Sequence, residues 1–177
     1  MPVAVWLDLL LLVLVVSAAI IDLAIRKIPN LLLLGGWVGS LGLYCSAAAP
    51  GAALGAALGG AFIGFALFLP LYLVRGMAAG DVKLMATVGL FLGPSQTVHA
   101  CILSWCVGGL MGLVIILYTR RWSAACTNLR ALLLPVLLRL GPPAPGTAHA
   151  KKSVGSMPYG LAIALSTLWL LAQRHFP

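Results

Sequence analysis

Between Lys27 and Arg75 the chain has no charged side chain, and between Lys83 and Arg120 it again has none. Runs of that length cannot close a soluble core, so the solvent around them has to be lipid. Composition agrees: 62% of the 177 residues are hydrophobic and 8% are charged. In lipid each backbone N–H and C=O must find a partner within the protein, which leaves helices or a closed barrel. A barrel would alternate apolar and polar residues, and these runs do not. The expected fold is all-α, a single polytopic membrane domain covering 1–177.

Hydropathy places six transmembrane helices, over residues 3–21, 31–48, 53–74, 83–92, 97–118 and 157–172. Pro50-Gly51 and Gly93-Pro94-Ser95 read as tight turns. The first helix precedes any Lys or Arg and carries Asp8, so it is expected to be a retained helix, not a cleaved signal. Strict alternation with Arg26 and Lys27 in the cytoplasm puts Arg75, Lys83, Arg120, Arg121, Lys151 and Lys152 there too. Only Arg174 falls outside. Residues 122–140 could span by length, but Arg130, Pro135 and Arg139 favour a helix lying in the cytoplasmic interface. Glycines four apart, at 35/39, 55/59, 60/64, 89/93 and 108/112, offer faces on which helices can pack closely.

The net charge of +8 sits in short loops and suits membrane orientation and anionic lipid headgroups. No aromatic residues interleave with the basic ones as in a nucleic-acid groove, so nucleic acid is not an expected partner. Cys45, Cys101, Cys106 and Cys126 form no C-x-x-C pair, and His99, His149 and His175 share no motif. Neither a metal site nor a cofactor is expected.

Against that background the acids stand out. There are three, Asp8, Asp22 and Asp81. Ionisable groups at a membrane are costly to keep and mark functional sites. Asp22 opens Asp22-Leu-Ala-Ile-Arg-Lys-Ile-Pro-Asn30, and Asp81 lies in Gly76-Met-Ala-Ala-Gly-Asp81-Val-Lys-Leu84. Either acid alone could be a solvated boundary residue. Together they are the two acids expected at one membrane face, and two neighbouring carboxylates can share a proton and activate a water. Asp8 precedes Asp22 by fourteen residues, about 21 Å along a helix, and belongs to the opposite face. Gly80 beside Asp81 suggests a loose loop where a substrate strand could approach. Lys83 could contact the acid or the substrate, or serve as an orientation anchor whose amine reaches headgroups. A small proton-coupled transporter is the rival reading, though such carriers keep their acids nearer the bilayer midplane. A non-catalytic assembly subunit is a third.

These motifs resemble those of the prepilin peptidases, the bacterial GxGD aspartyl proteases. The resemblance rests on Asp22 with Arg26-Lys27-Ile28-Pro29-Asn30, on Gly80-Asp81-Val82-Lys83-Leu84, and on Pro158-Tyr159-Gly160 before the last helix. It implies that Asp22 and Asp81 are the catalytic pair. Ala78, Gly80 and Lys83 would then form the active-site loop, supported by Pro29, Asn30, Pro158 and Gly160. It also implies an enzyme of the inner membrane that removes the basic leader from type IV prepilins or pseudopilins at the cytoplasmic face. The first glycine of the GxGD pattern is Ala78 here. The chain lacks the C-x-x-C insertion of the larger, N-methylating members and resembles the short, peptidase-only members of tight-adherence (Flp-type) pili.

Overall fold

In the computed structural model, residues 3–74, 76–119 and 158–175 are described. They form α1 (Val3–Ile25), α2 (Asn30–Cys45), α3 (Pro50–Leu73), α4 (Ala79–Thr119) and α5 (Tyr159–His175). The chain divides into two units. Met1–Gly108 with Pro158–Pro177 makes one, and Gly109–Met157 makes the other, of which only the end of α4 is described. α1, α3 and α4 are long and apolar enough to cross a membrane, and α2 is a shorter apolar helix. Ile20, Leu31 and Phe62 lie open on the outside of the first unit, as side chains facing lipid would. The chain is a helical membrane protein. The segment 122–140, expected at the interface, lies outside the described residues.

The helix ends differ from the sequence expectation for local reasons. α1 runs one turn past Asp22, and the Arg26 N–H closes it by donating to the Asp22 carbonyl at 2.9 Å. Arg26 itself is left-handed, with φ 53°. Pro29, extended at φ −65° and ψ 131°, then starts α2. Pro50 and Gly51 are the first turn of α3 and not a separate turn, because a proline at the first helical position gives up only an N–H that has no helical partner.

The reversal expected at Gly93-Pro94-Ser95 is present, although helical turns continue on both sides of it. Gly93 has φ 75° and ψ 175°, open to glycine and strained for other residues. Thr97 Oγ1 donates to the Gly93 carbonyl at 2.6 Å and lies 3.5 Å from the Gly89 carbonyl. Eight residues of straight helix would put Gly89 and Thr97 about 12 Å apart, so the chain folds back. Pro94 has no N–H for the Leu90 carbonyl, and the buried Tyr44 hydroxyl donates to that carbonyl instead, at 2.8 Å. Within the first unit, the returning part of α4, as far as Gly108, lies antiparallel to α5. Gln96 meets Arg174, Ser104 meets Ser166, and Gly108 faces the Tyr159 ring.

Packing in the first unit follows small residues, but not all the expected ones. Gly60 and Gly89 touch backbone to backbone, and a Cβ on Gly64 would stand 2.6 Å from the Met85 carbonyl oxygen. Gly39 faces Leu10, and Gly36, in place of Gly35, faces Leu14 and Thr87. Nothing approaches Gly35 or Gly55. Around these contacts Leu11, Val15, Phe68, Leu84, Met85, Val88 and Ile163 are fully buried.

Gly60→Ala is therefore expected to destabilise the protein by roughly 1–3 kcal/mol, as overpacking does, because the new methyl meets rigid backbone. Gly55→Ala, facing open space inside the same helix, is expected to stabilise by up to about 1 kcal/mol. Thermal unfolding of both variants in one detergent checks the contrast, and equal midpoints would argue against the α3–α4 seam.

Candidate functional site

Asp22 sits one turn before the end of α1 and is buried, at 6% exposure. Its Oδ2 accepts a 2.8 Å hydrogen bond from the Gly160 N–H, and the Leu161 N–H, which donates to the Pro158 carbonyl at 3.2 Å, lies within electrostatic reach of it. Those amides belong to the first turn of α5, where the Gly160 N–H has no helical acceptor. Pro158, preceding that helix, has no side-chain oxygen to cap it, so Asp22 does so from a different helix. The approach requires a glycine. A Cβ on Gly160 would stand 2.8 Å from Asp22 Oδ2 and 3.0 Å from its Cγ.

Asp81 is the third residue of α4 and equally buried. Its Oδ2 accepts from the Ala78 N–H at 3.2 Å while its own N–H donates to the Ala78 carbonyl at 3.1 Å. This is half of a capping box: an acid at N3 reaching back to the N-cap amide. The expected loose loop is thus corrected, since Gly80 and Asp81 belong to the first turn of α4. Gly80 provides contact, not conformational freedom: a Cβ there would lie 3.5 Å from Ile28 Cβ, ordinary van der Waals distance. Ala78 is not among the left-handed residues, so alanine meets no backbone penalty where the GxGD pattern has glycine.

The two acids lie at one end of the first unit, close enough for Asp81 to feel the charge of Asp22. Arg26 is within electrostatic reach of Asp22, and Tyr159 within reach of Asp81. Lys83 turns to α2, donating to Asn30 Oδ1 at 3.1 Å. It joins the first turns of α2 and α4, and Pro29 sets the start of that same α2. Asp8 is at the far end of α1, paired with Arg174 at 2.6 Å and His175 at 3.1 Å. Sequence reasoning missed Phe68 and Trp105. They stack at 6.1 Å between ring centroids, and Phe68 meets Tyr159 edge-on at 6.0 Å. Their only sequence signal was aromatic character within apolar runs, which core packing also produces. Among the described residues no group of three His, Cys, Asp or Glu side chains could hold a metal.

Two buried, neighbouring carboxylates, each hydrogen-bonded to a backbone amide, can divide the labour of general base and general acid. The sequence profile of the type IV leader peptidase family matches residues 9–113, a span that includes both acids and ends before Pro158 and Gly160. No curated protein and no solved structure matches the chain.

Ala78→Gly is expected to change stability by less than about 1 kcal/mol, because glycine's backbone-entropy cost is offset by its preference over alanine at an N-cap, with no gain in function. Paired thermal unfolding and activity measurements on this variant check it. A large gain in activity would mean that residue 78 works in a left-handed conformation.

Proposed function

The chain belongs to the type IV leader peptidase family and is therefore a peptidase, a membrane hydrolase, and from that premise we propose that it is an aspartyl endopeptidase acting through Asp22 and Asp81. Its substrates are type IV prepilins or pseudopilins, whose basic leader it removes at the cytoplasmic face of the inner membrane. The observation that carries the reading is the meeting of the two buried acids at the junction of α1, α4 and α5. Asp8, held by Arg174 at the other end of α1, has no part in it.

The chemistry is a balanced addition and elimination. One aspartate, as carboxylate, takes a proton from water while the water oxygen bonds to the scissile carbonyl carbon. The other, as acid, gives its proton to the carbonyl oxygen. As the tetrahedral intermediate collapses the C–N bond breaks, the first aspartate passes its proton to the leaving amine, and the second regains one from the intermediate's hydroxyl. The chain lacks the cysteine-rich insertion of the methylating members, and the proposal is for peptidase activity alone. The proposal includes six crossings with both ends outside, an arrangement in which the positive-inside rule would gather the basic residues on the face that holds the acids.

Asp22→Asn and Asp81→Asn are each expected to reduce leader cleavage of a co-expressed prepilin by at least about 100-fold, the usual share of a general acid or base. Asp8→Asn should leave cleavage near wild type. An immunoblot of precursor and mature pilin at matched enzyme levels checks all three. Cleavage retained in either single-site variant would remove the pair from the mechanism.

The topology has its own test. In a cysteine-free background, Met77→Cys should resist an impermeant thiol reagent in intact cells, and Gln96→Cys should react. The reverse pattern would turn the acids away from newly made leaders.

A further inference from the structure

We propose that Gly160 is a positioning residue that makes Asp22 the base of the pair, by seating its carboxylate on the amino end of α5. The inference rests on the peptidase reading above and adds to it a division of roles between the two aspartates.

The two acids are held differently. Asp22 Oδ2 receives the Gly160 amide at 2.8 Å, with the Leu161 amide within electrostatic reach, both on a helix that is not its own. Hydrogen bonds of this kind strengthen when the acceptor is charged, and the positive end of a helix favours an anion. Asp81 receives the single amide of Ala78, at a longer 3.2 Å. When two neighbouring carboxylates share one proton, it rests on the one whose charge is less well supported. That is Asp81, which then faces the scissile carbonyl as the acid. Among the described residues, the charged and titratable groups that face the pair are Arg26 from the end of α1, beside Asp22, and Tyr159 from α5, beside Asp81. Lys83 is engaged with Asn30.

Glycine is needed at this position for space as well as for its amide. The first unit brings Asp22 so close to residue 160 that a methyl would meet Oδ2, Cγ and Cβ of the acid at 2.8–3.1 Å. All three atoms belong to the acid itself, so a larger residue would push the base away from its donor. Because Gly160 is the second residue of α5, its N–H has no intrahelical acceptor. Removing that N–H leaves the helix intact and affects Asp22 alone.

The experiment replaces Gly160 with glycolic acid, so that an ester links residues 159 and 160 and the donor is lost without added bulk. Gly160→Ala is made in parallel, and Asp8→Asn serves as the control that loosens the other end of the same helix pair. Purified enzymes are compared on a prepilin peptide across pH. The ester is expected to lower kcat about tenfold with KM within about twofold. The acid limb of the kcat/KM profile, which reports the base of the free enzyme, should move about one unit toward higher pH. Gly160→Ala should show the same shift or a larger one, and Asp8→Asn no shift. An unmoved acid limb in the ester enzyme, or movement of the alkaline limb instead, overturns the assignment while Asp22→Asn remains inactive. An active Asp22→Asn enzyme would instead show that the peptidase pair itself was misread.

Discussion

The contact on which the rest depends is the double attachment of α1 to α5. Asp22 binds the amino end of α5, and Asp8 binds Arg174 and His175 in its last turn. The acids are about 21 Å apart on α1, and the seventeen residues of α5 span about 26 Å. The attachment points are fourteen residues apart on both helices, Asp8 to Asp22 on α1 and Gly160 to Arg174 on α5, so the two are clasped at matched heights and their antiparallel order follows. Each end also suits the helix dipole, an anion at the amino terminus and the Arg174 cation at the carboxyl terminus. In lipid there is no hydrophobic drive to hold helices together, so polar contacts at fixed heights and close packing decide register. Slippage by one turn would strand both carboxylates.

Asp81 is fixed by a different device. Asn30, Trp37 and Tyr44, seven residues apart on one face of α2, bond to Lys83, to Thr87 and to the Leu90 carbonyl. Thr87 passes the connection back to the Lys83 carbonyl at 2.8 Å. The ladder lets α4 break at Gly93 without leaving bare acceptors in lipid, since Tyr44 takes the carbonyl freed by Pro94 and Thr97 closes the turn. The break in turn lets a short first segment of α4 carry Asp81 at one end while the following residues, as far as Gly108, return along α5. The height of Asp81 is therefore set by α2, and that of Asp22 by α5.

Much of this was legible in the sequence, for identifiable reasons. Charge-free runs dictate helices in lipid, and scarcity of acids made Asp22 and Asp81 conspicuous. Gly93-Pro94-Ser95 signalled a reversal that the backbone performs. The misreadings have a common cause: turn-forming residues can also begin helices. Pro50-Gly51 and Ala79-Gly80 looked like loops and are first turns, because a helix's first residues need no N–H partner within it. Gly36 was passed over for Gly35 because spacing alone cannot say which face of α2 meets α1. Gly160 was visible only as part of a motif. Its bond to Asp22 joins residues 138 apart, beyond any local pattern.

The same side chain is put to opposite uses at the two ends of α1. Asp8 is tied to Arg174 and His175, a pairing that neutralises it and suits an anchor. Asp22 and Asp81 are each held by neutral backbone amides at a helix amino terminus. Such donors carry no proton that they can give up at ordinary pH and no full charge to lock the carboxylate in one state. They make a buried acid tolerable in an apolar surrounding while leaving an oxygen free to exchange a proton with water. A membrane protein that needed only to pin its helices would repeat the Asp8 arrangement. Placing two acids on helix ends, with Asp81 in the field of Asp22, suits the proton transfer proposed for them.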